Sequence, residues 1–387
     1  MRVAAQLLSA SGAGDMTPAE FEQALARLGT RMSFDCEEDE CLVEITGLEA
    51  NLRESLRLTA LRFSRPNIPR GTLQELVNIE LGARQDERGD PEAIGNALRQ
   101  YAERGADSMV LADLSRKRLL ALRTDELRRL LAGTLGSRRD VLYAGTASPE
   151  TVARLSTLGR RRWKPAPTRA PRRLIVPDKP QVLFIDKKGM VQAHVGLFAS
   201  DGPSDPAEAV VHRFYDTVIG GAGGVIFQEV REARSLAYSA AGSYQPGARS
   251  GDDSEQFGWV GTQSDKAVEA ATLMRDILKR SSFGAERFDA ASREVSAHYR
   301  SSTIPFRDIP DTLLAWERMG LGSGDPRAAF LEKARVLRPT ELEAMGRRLQ
   351  GRTLTIYVVG DRDKLDLEGF RRLGQFREIS LDDIFPR

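Results

Sequence analysis

Residues 159–180, GRRRWKPAPTRAPRRLIVPDKP, mark an expected break between two parts of the chain. The five prolines here remove backbone donors and disfavour helix, while the clustered Arg and Lys side chains repel one another and stay in water. This reads as a solvated linker rather than a basic surface for an acidic partner.

The two flanks repeat one order of elements. In the first, a helix (PAEFEQALARLG) leads to a hairpin (RMSFDCEEDECLVEITG) and then to helices NLRESLRLTALRF and GTLQELVNIELGARQ. In the second, a helix (GVIFQEVREA) leads to a longer hairpin (LAYSAAGSYQPGARSGDDSEQFGWVGTQ) and then to helices DKAVEAATLMRDILKR and FGAERFDAASREVSAHYRSS. Each flank closes on a short apolar run with a Gly stop, RDVLYAGT in one and RTLTIYVVG in the other, which predicts a buried strand in both. The pattern predicts an α+β fold of two similar units, each a mainly antiparallel sheet packed with helices, from one duplicated design. The expected boundaries are residues 1–158, the linker 159–180, and residues 181–387. The second unit opens with two further strands, QVLFID and MVQAHVGLFAS, that have no counterpart in the first, so the first unit is expected to be shortened at its N-terminus. It would be a fragment of a longer polypeptide or a chain completed by a partner, because a sheet edge left open is a liability.

With 41% hydrophobic and 29% charged residues among 387, the composition is that of a soluble globular protein. A formal net charge of +2 gives no field to hold nucleic acid or an anionic membrane. No apolar run approaches the roughly 20 residues that span a bilayer. Residues 1–15 read as an amphipathic helix rather than a signal peptide, and the compartment, cytoplasmic or periplasmic, stays open. The two cysteines, Cys36 and Cys41, flank an acidic hairpin tip, where cross-strand neighbours could form a disulfide or remain thiols. Zinc there would need two more ligands, and none is near in sequence.

Residues 220–244, GGAGGVIFQEVREARSLAYSAAGSY, invite a phosphate-loop reading and fail it. No Gly-Lys-Ser/Thr opens the following helix, and the preceding DPAEAVVHRFYDTVI reads as a helix capped by Asp205 with Pro206 in its first turn, not as a strand. The glycines then serve a connection in which backbones pack closely. No Gly-x-Ser-x-Gly elbow occurs. The three histidines are His194 in an expected strand and His212 and His298 on helices. Glu294 and His298, spaced i,i+4, share a helix face and could offer two metal ligands, although a plain surface pair is the simpler reading.

The same glycine-led stretch, with FGWVGTQSDKAVEAATLMRDIL after it and MVQAHVGLFAS before it, resembles the C-terminal portion of the insulinase/pitrilysin-like metallopeptidases, the inverted zincins with an H-x-x-E-H motif. The resemblance covers nearly the whole chain, and it is to the second half of long, single-chain bacterial members. It implies a clamshell of two halves around a chamber, with zinc in the first half and substrate-binding groups in the second. It also implies that Arg231 and Tyr238 reach the substrate: an Arg fork for a carbonyl or carboxylate, and a phenol for the oxygen that gains charge. Considered by themselves, the two are equally a helix-closing Arg and an ordinary strand Tyr. Tyr244 is expected on the same strand face as Tyr238, as packing.

The departure from the family is as informative as the likeness. Alignment on MTPAEFEQALARLG puts the H-x-x-E-H window at Val3-Ala4-Ala5-Gln6-Leu7, which holds none of the ligands or the base. Glu75 or Glu80 stands near the family's third, carboxylate ligand, and one carboxylate without two imidazoles does not hold Zn²⁺ tightly. The resemblance thus implies a non-catalytic, substrate-binding half that binds no metal itself. It would work with a zinc-bearing H-x-x-E-H half, in the same polypeptide or as a separate subunit, on peptide substrates. The alternative is a scaffold subunit built on the peptidase fold with no proteolytic role.

Overall fold

The computed structural model describes residues 1–37, 40–134, 136–156, 169–221, 223–233 and 237–386, with the backbone alone for Glu37, Ala233 and Tyr238. In chain order the first helices and strands are α1 (Arg2–Ser9), α2 (Pro18–Arg27), β1 (Arg31–Glu37), β2 (Glu40–Thr46), α3 (Leu52–Ser64), α4 (Thr72–Glu87), α5 (Pro91–Arg104), α6 (Arg116–Leu120), α7 (Thr124–Thr134) and α8 (Pro149–Ser156). After them come β3 (Gln181–Asp186), β4 (Gln192–Pro203), α9 (Ala209–Ile219), a π-helical segment (Phe227–Ala233), β5 (Ala237–Gln245), β6 (Asp253–Gln263), α10 (Ala267–Leu278), α11 (Ala285–Ser301), α12 (Ile309–Arg318), α13 (Arg327–Val336), α14 (Pro339–Gln350), β7 (Thr355–Gly360), α15 (Leu367–Leu373), β8 (Gln375–Glu378) and α16 (Leu381–Ile384). They form two compact units, one of residues 1–86, 114–170 and 306–310, the other of residues 87–113, 171–305 and 311–387.

The first unit is mostly helical. Thr17 caps α2 in a reciprocal box with Glu20, and Pro18 stands in the first turn, so the helix starts where its orphan N–H groups are satisfied. One buried cluster joins Leu7 and Leu8 of α1, Phe34 of β1, Phe63 of α3, Val77 of α4 and Leu131 of α7. The β1–β2 hairpin pairs Arg31 with Thr46 through Glu37 with Glu40 as a two-stranded sheet. Cys36 and Cys41 face each other across it and are joined by a disulfide.

The second unit is built on one six-stranded mixed sheet in the order β8-β3-β7-β4-β6-β5. β8, β3 and β7 run parallel; β7-β4, β4-β6 and β6-β5 pair antiparallel. One face carries the large core of Phe214, Val260, Met274, Ile356 and their neighbours from α9, α10 and α14. On the other face lie Leu183, Phe198, Tyr357 and Val359, covered by Ile94, Leu98 and Ala102 of α5 and by Ile384 of α16. Coverage of both faces explains why β7 is buried at every residue. Gly196 is required at the middle of β4, where a Cβ would stand 1.9 Å from the Tyr357 ring.

The architecture is α+β with sheets packed by helices, and two local expectations fail. Residues 140–146 form no strand, and Val141 and Leu142 are 48% and 38% exposed. A short apolar run needs a neighbouring strand to take its hydrogen bonds, and among the described residues the first unit offers only two small two-stranded sheets, the hairpin and the pairing of Gly12–Ala13 with Pro66–Asn67, neither of which it joins. The helix α5, in the first half of the sequence, joins the second unit, where its apolar stripe finds the open sheet face.

Candidate functional site

The glycine run ends α9 and turns the chain back on itself. Gly220 caps the helix through its N–H to the Asp216 carbonyl at 2.8 Å, and Gly221 takes φ +66°. A Cβ on Gly224 would lie 1.9 Å from the Gly220 carbonyl oxygen, so backbone packs directly on backbone. Val225 and Ile226 then bury completely and seat the following turn. That turn, Phe227–Ala233, is a π-helix, a wide geometry common at functional sites.

Arg231 points outward from it. Its side chain is 44% exposed, with the guanidinium 4.8 Å from the Phe227 ring centroid and Nε 3.6 Å from Glu232. Stacking on the ring four residues earlier orders the fork while leaving its N–H groups in water.

The segment is tied down by residues that sequence periodicity does not reveal. Glu229 receives two bonds from Arg280, at 2.7 and 3.0 Å, and lies 3.6 Å from Arg287. The paired bond to Glu229 raises the Arg280 pKa above its ordinary value, against the pull of burial. The signal in the sequence is only the acidic residue two before Arg231; its partner lies 51 positions away.

Residues 234–236 and the Tyr238 side chain fall outside the described residues. The Tyr238 backbone is in β5 at a register shift: Ala237 opposes Thr262 and Ser239 opposes Gly261, so Tyr238 is the extra residue of a bulge. Strict alternation therefore stops there. Tyr244 packs as expected, 3% exposed, with its hydroxyl donating to Asp201 Oδ2 at 2.9 Å. Asp201 also receives Arg348 at 2.9 Å and Arg352 at 3.1 Å, a buried carboxylate fully met by donors. Burial, then the Asp201 charge, pushes the Tyr244 phenol well above its ordinary range.

The zinc window is a core helix. Val3, Ala4, Ala5 and Leu7 of α1 are all buried and apolar. Glu75 is exposed, and Glu80 is held by Arg2 at 2.7 Å and Arg84 at 2.9 Å. Two guanidiniums occupy the carboxylate where a cation would have to bind, so these residues do not fit the metal of the H-x-x-E-H enzymes. His194 lies edge-on to Trp259, and burial lowers its pKa. His212 is buried 3.3 Å from Glu208, its pKa also lowered by burial. His298 is held low by burial and then by Arg213 and Arg327, an environment that repels a cation despite Glu294. Among the described residues no group of three His, Cys, Asp or Glu could hold a metal ion, and no helix is long and apolar enough to cross a membrane.

No protein-family model and no curated protein matches the sequence. Solved structures do. The inactive domain of an M16 peptidase from Pseudomonas fluorescens superposes with TM-score 0.73 at 17% identity, over 94% of this chain and 89% of that one. The ferredoxin protease FusC, solved with Arabidopsis ferredoxin, gives 0.73 at 12% identity over 93% of this chain and 40% of its own. The periplasmic protease PqqL from Escherichia coli gives 0.71 at 14%, over 93% and 40%. The chain thus spans about two fifths of those two proteases. It has the fold of the insulinase/pitrilysin (M16) peptidases.

Proposed function

From an M16 peptidase fold in which no group of three His, Cys, Asp or Glu among the described residues could hold a metal ion, we propose that this chain is the non-catalytic, substrate-binding half of a zinc-dependent endopeptidase acting on peptides. The observation that carries the reading is a contrast: the helix that would bear the metal motif is apolar and buried, while Arg231 is exposed on a π-helical segment anchored through Glu229. In this role Arg231 donates its fork to a peptide carbonyl or carboxylate, and Tyr238 donates to the oxygen on which charge develops. A preordered guanidinium loses little freedom on binding, which favours the bound peptide. The zinc-bearing H-x-x-E-H half, in the same polypeptide or a separate subunit, supplies the metal chemistry.

The test is cleavage of a quenched fluorescent peptide by this chain alone and mixed with an H-x-x-E-H half from its own genome, with metal analysis of each. The reading expects no zinc and no cleavage for the chain alone, and cleavage in the mixture above that of the zinc half by itself. Stoichiometric zinc on this chain would overturn it. A mixture no faster than the zinc half alone would leave a scaffold role instead.

A further inference from the structure

The first unit carries a cleft of about 460 Å³ between the loop 68–71, the start of α4, and helices α6 and α7. Its floor is apolar: Val77 and Leu119 are 3% and 1% exposed, and Leu73 is half-buried beside them. Two exposed guanidiniums, Arg70 and Arg128, stand on its walls, and no carboxylate lines it. Arg70 follows Pro69 and precedes Gly71, which takes φ +86°, a conformation that glycine adopts without strain. Arg70 has no hydrogen-bond or ion-pair partner among the described residues, and Arg128 makes one contact of 3.3 Å, with Asp125 on its own helix. The remaining polar lining includes Gln74 and Thr124.

Two under-committed guanidiniums above an apolar floor complement an anion attached to an apolar group. We infer that this cleft binds the free C-terminal residue of a peptide, its carboxylate taken by Arg70 and Arg128 and its apolar side chain laid on Leu73, Val77 and Leu119. A fatty acid would satisfy the floor and the cations but would set methylenes against Gln74 and Thr124. A peptide end brings an amide to those groups, and removing polar groups from water without a partner is costly. The inference rests on the proposed peptide-binding role.

The probe is a fluorescein-labelled pentapeptide ending in leucine, as the free acid and as the C-terminal amide, titrated by fluorescence polarisation against the intact chain. The free acid is expected to bind at least tenfold more tightly than the amide. Arg70→Gln and Arg128→Gln should each weaken the acid severalfold, and the double variant should bring it to the level of the amide, whose own binding stays unchanged. Both side chains are exposed, so circular dichroism of the variants should match the parent. Equal affinity for acid and amide, or a preference that survives in the double variant, would overturn the site. So would displacement of the peptide by decanoate at lower concentration than by the unlabelled acid. An intact preference without cleavage in the two-half mixture would retain the cleft and remove the peptidase role, whereas cleavage without the preference would do the reverse.

Discussion

Two apolar runs of the same kind, residues 140–146 and 355–360, meet opposite fates. The second, TIYVVG, lies between β3 and β4 in the six-stranded sheet and is wholly buried. The first, VLYAGT with its flank, leaves Val141 and Leu142 exposed and forms no strand. Composition does not separate them. What differs is the sheet on offer, since a strand is stable only where a neighbour supplies hydrogen bonds and a face to cover.

That contrast extends to the whole of both units, and substitutions can break or sharpen it. The largest effect is expected for Asp201→Ala, which strands the Arg348 and Arg352 guanidiniums and the Tyr244 hydroxyl without their shared acceptor. Losing the charge-assisted bonds at this buried acceptor and leaving the buried Tyr244 hydroxyl without it costs about 3–5 kcal/mol in sum, to be read as a lowered urea midpoint for the second unit. Ile356→Ala should cost about 2–4 kcal/mol by leaving a cavity in the sheet core, while Val141→Ala should fall within about 0.5 kcal/mol. Equal effects at these two positions would refute the comparison.

The hairpin of the first unit depends on a crosslink. Cys36→Ser opens the Cys36–Cys41 bridge and should destabilise the hairpin by about 2 kcal/mol on loop-entropy grounds, visible as faster amide exchange in β1 and β2. Alkylation of the unreduced protein should meanwhile label neither cysteine.

The last expected effect is read as a function of pH and tests how α5 sits on its sheet. Glu103 of α5 and Glu255 of β6 share Arg99, which bonds to Glu255 at 2.8 Å and also to Glu103. Burial, with the Glu255 charge beside it, raises the Glu103 pKa from 4.5 to about 7. The folded state then holds a proton that an unfolded chain releases near 4.5, so the stability tied to neutral Glu103 is full below that value and lost as pH rises through about 7. Stability of the second unit should fall as pH rises from 5 to 8, and Glu103→Gln should flatten that slope.

Much of this was legible locally. Thr17, Pro18 and Glu20 announce the start of α2, and Asp205 accepts the Ala207 N–H as its capping position implies. The places of Cys36 and Cys41 on either side of the acidic tip put them opposite each other in the hairpin register. The glycine run is spaced as close backbone packing requires, and the motif around it led to the peptidase fold. What stayed hidden is tertiary. Asp90 and Pro91 mark the beginning of α5, but nothing in its stripe of Ile94, Leu98 and Ala102 says which sheet it will cover. The bulge at Tyr238 interrupts a pattern that reads as continuous alternation, and the Glu229–Arg280 pair joins residues that share no periodicity.

The central claim, that this chain lends substrate-binding donors to a zinc-bearing half, is tested most directly by kcat/KM of the two-half mixture with Arg231→Ala. Stability should be unchanged, because the side chain is exposed, while kcat/KM should drop about 100-fold, the scale for losing one charge-stabilising donor. Wild-type kcat/KM in that mixture would contradict the account and return Arg231 to the role of a solvated helix-end residue.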